Sequence, residues 1–180
     1  MTATYSSSEY LLEKCLLLLT KKGWKDFCFT DVVIEYPHID PLTLSRLFPE
    51  KHHIITAFLQ KATQNISYIL EKRRPLHAQD FFIEGLLTTM DVLRPFFPLI
   101  QEILCQASLS IALFFQWIYP FYHSFRTFAV CYTPLSKNQS TLLSLFMIHA
   151  LLSSLFYRMH HTEEDLWAYL HVYSQKLWFI

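Results

Sequence analysis

Two glycines in 180 residues, Gly23 and Gly85, set the strongest limit on what this chain can fold into. Hairpins and β-bulges draw on glycine because its backbone enters the positive-φ region without steric cost, so an all-β or doubly wound design would lack turns. An all-α fold is expected. Helices need apolar surface to bury, and the supply is large: 52% of residues are hydrophobic, including 16 Phe, 10 Tyr and 4 Trp. This exceeds what one small helical core takes up, so part of it is expected to line a cavity, a dimer face or a membrane contact.

Local signals divide the chain into about nine helices. The first follows Ser6 and Glu9, which have capping-box spacing. It carries Leu11, Leu12, Cys15, Leu16, Leu18 and Leu19 at helical intervals and stops at Gly23. Thr30 is the expected cap of a second helix beginning at Asp31, which must end by Pro37 because the residue before a proline resists the α region. A third starts with Asp40 as cap and Pro41 in the first helical position, and runs to about Phe48. Pro49 is expected to open a long fourth helix with a stripe of Ile54, Ile55, Phe58, Leu59, Ala62, Ile66, Ile69 and Leu70, ended by "EKRRP". Further helices are expected at about 77–92, 95–106, 108–131 with a bend at Pro120, 138–158, and 163–178 capped by Thr162.

Charge narrows the function classes. Lys and Arg number 15 against 15 Asp and Glu, so the whole molecule is no electrostatic trap for nucleic acid or anionic lipid, and any nucleic-acid contact must be local. Four cysteines without a CxxC pair suit reduced thiols in a cytoplasmic protein. The start of the chain lacks the pattern of a secretory signal. Residues 103–122 and 138–157 contain no charged side chain over a bilayer's length, but their Gln, Ser and Asn favour buried core helices, with peripheral membrane contact as the alternative.

Catalysis and metal binding find no support. There is no GxSxG, no phosphate-cradling glycine loop and no carboxylate pair in an apolar segment; Glu84, Asp91 and Glu102 read as residues on solvent faces. His52-His53 and His160-His161 are adjacent pairs without the i, i+4 spacing of a helical metal site, and His149 in an apolar helix reads as a core or cavity histidine. Neither metal nor cofactor is expected.

The order long helix, short helix, tight turn, short helix, long helix describes a helix-turn-helix in front of a larger helical body. The stretches "LLEKCLLLLTKKGW", "FTDVV" and "HIDPLTLSRLFPEKHHIITAFL" resemble the N-terminal domain of the TetR family of transcriptional regulators. The matching positions are Gly23-Trp24, Thr30, Val32, Val33, Ile39, Leu44, Phe48, Pro49, Lys51, Ile54 and Ile55. The resemblance implies a DNA-binding domain over residues 1–50 and a ligand-binding and dimerisation domain over 51–180.

It further implies that the third helix enters the major groove of a duplex operator, with Thr30, Asp40, Pro41, Leu42, Thr43, Ser45, Arg46 and Lys51 at the interface. Two departures stand out: Ser45 occupies the family's phosphate-gripping Tyr position, and Pro37-His38 replaces its small Ala-Gly turn pair. A hydrophobic effector would lie among Phe114, Trp117, Phe121, Tyr122, Phe146 and His149, and a homodimer would form through residues 138–158 and 163–178. The tail "HHTEEDLWAYLHVYSQKLW" is also similar to a TetR-fold protein of ubiquinone biosynthesis that binds lipid instead of DNA. A lipid- or isoprenoid-binding accessory role is therefore the competing expectation.

Overall fold

The apolar periodicities become helices, and their caps decide where each begins and ends. The computed structural model describes residues 7–73, 78–105, 111–132, 135–158 and 172; the helix expected at 163–178, its cap Thr162, and Ser6 lie outside the described residues. Among the described residues the structure is all-helical: α1 (Ser7–Lys22), α2 (Phe29–Glu35), α3 (Pro41–Leu47), α4 (Lys51–Arg73), α5 (Ala78–Leu93), a 3-10 turn (Arg94–Phe96), α6 (Phe97–Cys105), α7 (Ile111–Tyr132) and α8 (Lys137–Arg158).

α1 buries the expected leucines and Cys15, and burial in that apolar setting pushes the Cys15 thiol up to about 12. It stops where Gly23 turns left-handed at φ 84 and returns its N–H to the carbonyl of Leu19 at 2.9 Å. α2 begins earlier than expected. Its cap is Cys28, whose N–H donates to the Asp31 carboxylate at 2.9 Å, leaving Thr30 inside the first turn. The acidic residue three places into the helix, paired with Lys22 at 2.7 Å, fixes this start in place of the threonine hydroxyl.

The turn between α2 and α3 is closed by the N–H of Ile39 on the carbonyl of Tyr36 at 2.9 Å. Pro37 thus takes the first corner of a four-residue turn, where its fixed φ is favourable, which explains how the turn forms without glycine. The Tyr10 hydroxyl bonds His38 Nε2 at 2.8 Å and ties that turn to α1. α4 begins at Lys51 instead of Pro49, because Phe48 and Pro49 complete the bend out of α3 and the N–H of Glu50 donates to His53 Nδ1 at 3.3 Å.

One hydrophobic cluster runs from α1 to α8. α4 is its axis, packing on α1, α5 and α7, while α8 rests on α5, α6 and α7. Gly85 permits the close α5–α8 approach, since a Cβ there would lie 2.5 Å from Met147 Cε. α7 continues through Pro120, and packing sorts its aromatics: Trp117, Phe121, Phe125 and Phe128 turn inward, while Phe115 and Tyr119 stand exposed. Among the described residues no helix is long and apolar enough to cross a membrane.

Candidate nucleic-acid interface and apolar cavity

α3 is held by its inner side and presented by its outer one. Leu44 and the cap residue Phe48 are buried, whereas Pro41, Leu42, Thr43, Ser45, Arg46 and Leu47 are exposed, Leu42 at 74%. A seven-residue helix has little stability of its own and depends on its start. Asp40 provides it, accepting from the N–H groups of Leu42 at 3.2 Å and Thr43 at 2.9 Å and from the Thr43 hydroxyl at 2.6 Å. The Thr43 hydroxyl first, then these N–H groups and Arg46, hold the Asp40 carboxyl below the usual carboxylate range.

The polar groups offered outward are fewer than the sequence suggests. The Thr43 hydroxyl donates to Asp40 and the Ser45 hydroxyl to the carbonyl of Leu42 at 3.1 Å. Lys51 points back into the protein: its ammonium donates to the carbonyls of Trp24 at 2.9 Å and Lys25 at 3.5 Å and sits 5.4 Å from the centre of the Trp24 ring. Arg46 is exposed, and its charge acts on Asp40. Thr30 is exposed on α2. Over residues 23–51, Lys25, Arg46 and Lys51 are outnumbered by Asp26, Asp31, Glu35, Asp40 and Glu50.

The residues expected to hold an effector are not gathered in one place. Trp117 and Phe121 line a small, partly open apolar cavity of about 60 Å³, together with Ile55 and Leu59 of α4, Leu93 of α5, Ile100 and Ile103 of α6, and Leu151 of α8. The Trp117 indole N–H donates to Thr56 Oγ1 at 3.2 Å, so the one polar group on this wall is satisfied. Tyr122 instead faces an open groove of about 710 Å³ with Gln60, Tyr119 and Leu145. Phe146 packs on Phe82 with ring centres 5.5 Å apart. His149 is exposed rather than buried in a cavity, because α8 turns Met147, Ala150 and Leu151 inward and leaves that position on the opposite side. The side chain of Phe114 lies outside the described ones. Small-molecule pockets typically measure about 300–1,000 Å³, so a ligand that seats fully in this small cavity must push its walls apart.

Glu102 is the residue that sequence reasoning misplaced. It is not on a solvent face: it is half-buried and accepts from the N–H groups of Trp24 at 2.7 Å and Lys25 at 3.2 Å, binding α6 to the turn after α1. The signal was available, since Glu102 is the sole Asp, Glu, Lys or Arg between residues 95 and 125. A lone carboxylate amid apolar helices needs partners. His52 and His53 stack on each other at 4.1 Å, and no group of three His, Cys, Asp or Glu that could hold a metal ion occurs among the described residues.

No family model and no curated protein matches this sequence. The fold is similar to that of a crystal structure of a TetR transcriptional regulator from Legionella pneumophila, with a TM-score of 0.56 and 16% sequence identity, covering 97% of this chain and 99% of that one. The chain therefore has a TetR-like fold.

Proposed function

We propose that the chain is a TetR-like DNA-binding transcriptional regulator in the cytoplasm, controlled by a hydrophobic small molecule, and not an enzyme. The observation that carries this reading is α3: a short helix capped by Asp40, anchored by Leu44 and Phe48, with its remaining side chains turned to solvent. A helix built to be read from outside is what a major-groove reader requires. On this reading residues 1–50 form a helix-turn-helix domain and 51–180 a ligand-binding and dimerisation domain. Homodimerisation through 138–158 and 163–178 is supported by Leu142 and Leu145, which leave α8 57% and 53% exposed. An effector favouring one separation of the two recognition helices would shift the population between binding and non-binding dimers.

A second reading, a lipid- or isoprenoid-binding accessory protein without DNA binding, is favoured by one specific feature: Lys51 is engaged by the carbonyl of Trp24 and the surrounding segment carries more acids than bases. The test is fluorescence anisotropy at low salt with a duplex from the gene's own upstream region, beside native mass spectrometry for retained lipid. Duplex affinity relieved by an apolar compound supports the regulator; bound lipid with no duplex affinity overturns it.

A further inference from the structure

The turn at residues 23–25 is gripped from two sides. Its donors face α6, where both oxygens of Glu102 are in use: Trp24 N–H reaches Oε2 at 2.7 Å and Lys25 N–H reaches Oε1 at 3.2 Å. Its acceptors face α4, where Lys51 Nζ bonds the carbonyl of Trp24 at 2.9 Å. Gly23 makes room for this grip, since a Cβ there would stand 3.0 Å from Glu102 Oε2. Hydrogen bonds to a carboxylate or an ammonium are stronger than neutral ones, so the turn has a well-defined held state. A displacement of about 1 Å takes such bonds beyond useful length, so the released state is equally distinct.

The other side of α6 is a wall of the small apolar cavity. Ile100 and Ile103 lie within one turn of Glu102 and line it. With a volume of about 60 Å³ the cavity takes a larger apolar occupant fully inside only if a wall moves, and close-packed interiors pass such a strain on instead of absorbing it. α6 is the shortest of its helical walls, at nine residues.

We propose that Glu102 is a positioning residue that couples the cavity to the N-terminal helices: an apolar occupant moves α6, and the carboxylate then releases the turn that orients α1 and α2. The purpose of this device rests on the regulator reading, but the clamp itself is independent of DNA. Amide hydrogen exchange at Trp24 and Lys25, followed by NMR, reads it directly. Glu102→Gln replaces one acceptor oxygen with an amide NH2 and should speed exchange at both amides by about tenfold. The helix amides of Leu44 and Phe48 should change by less than roughly twofold, as expected of a local opening.

Leu151→Trp introduces an indole into the cavity from the wall facing α6, and should speed exchange at the same two amides. In the Glu102→Gln background it should add less than roughly twofold, because the coupled contact is already lost. Saturating benzene, a bulky apolar occupant, loads the cavity of the parent protein without any substitution, and must reproduce the effect should Leu151→Trp fail to fold. Unchanged exchange at Trp24 and Lys25 in filled cavities, or full additivity with Glu102→Gln, overturns the proposal. A protein that passes this test yet has no duplex affinity keeps the clamp and loses the regulator reading.

Discussion

Duplex binding by this chain should respond to salt less steeply than its cation count suggests. Lys25, Arg46 and Lys51 are the cations of residues 23–51, the segment that holds α2, α3 and the flanking turns. Lys51 is withdrawn by the carbonyls of Trp24 and Lys25, leaving two side chains per subunit free to meet phosphate. A two-fold dimer then offers four. Each neutralised phosphate contributes about 0.9 to the slope of log affinity against log salt, giving about 3.6 and a loss of roughly 150-fold between about 50 and 200 mM salt. With Lys51 also on phosphate the slope would be about 5.4 and the loss close to 2,000-fold by the same relation. Anisotropy titrations at four or five salt concentrations separate these values. Arg46→Ala should lower the slope by about 1.8, whereas Lys51→Met should leave it unchanged. A parent slope near 5, or a drop of that size in Lys51→Met, would refute the engagement of Lys51 by the turn at residues 23–25.

Three further outcomes follow from particular contacts. Asp40 has a folded pKa below its unfolded one, so its contribution to stability is present above about pH 4 and is lost as pH falls through the folded value; Asp40→Asn should flatten that acid limb of a urea-unfolding series, and an identical limb would count against the cap. Phe81→Ala should lose about 3–5 kcal/mol in denaturant unfolding at constant m, because Phe81 is fully buried against Phe128; a loss below about 1 kcal/mol would show that the site collapses freely. Gly85→Ala sets a helix-propensity gain of about 1 kcal/mol against displacement of the fully buried Met147, an overpacking cost of about 1–3 kcal/mol. The variant should be less stable than the parent, and Met147→Val should recover the loss.

How much of this was legible depends on whether the signal was local. α3 was readable to the residue because its determinants, Asp40 and Pro41 at the start and Leu44 and Phe48 on one side, act within two turns of chain. The same locality misled at α2, where Thr30 and Asp31 competed for the start. The carboxylate won through its pairing with Lys22, a residue of the preceding helix that no local rule weighs. Lys51 and Glu102 show the limit most clearly. The family resemblance implied a DNA contact for Lys51 and the helical pattern a solvent face for Glu102, yet both converge on the turn at residues 23–25, Glu102 from 78 residues away. Periodicity states which side of a helix is apolar, but not which neighbour a charge on its border meets. The aromatic segment of α7 failed for the opposite reason: aromatics in nearly every direction carry no phase, and only packing against α4 and α8 separated Trp117 and Phe121 from Phe115 and Tyr119. Four of the expected effector residues, Phe114, Trp117, Phe121 and Tyr122, were drawn from that segment, and the parting of Trp117 and Phe121 from Tyr122 has the same cause. The cap and anchors of α3 are local and were legible, whereas the contacts of Lys51 and Glu102 that fix the turn before α2 are not.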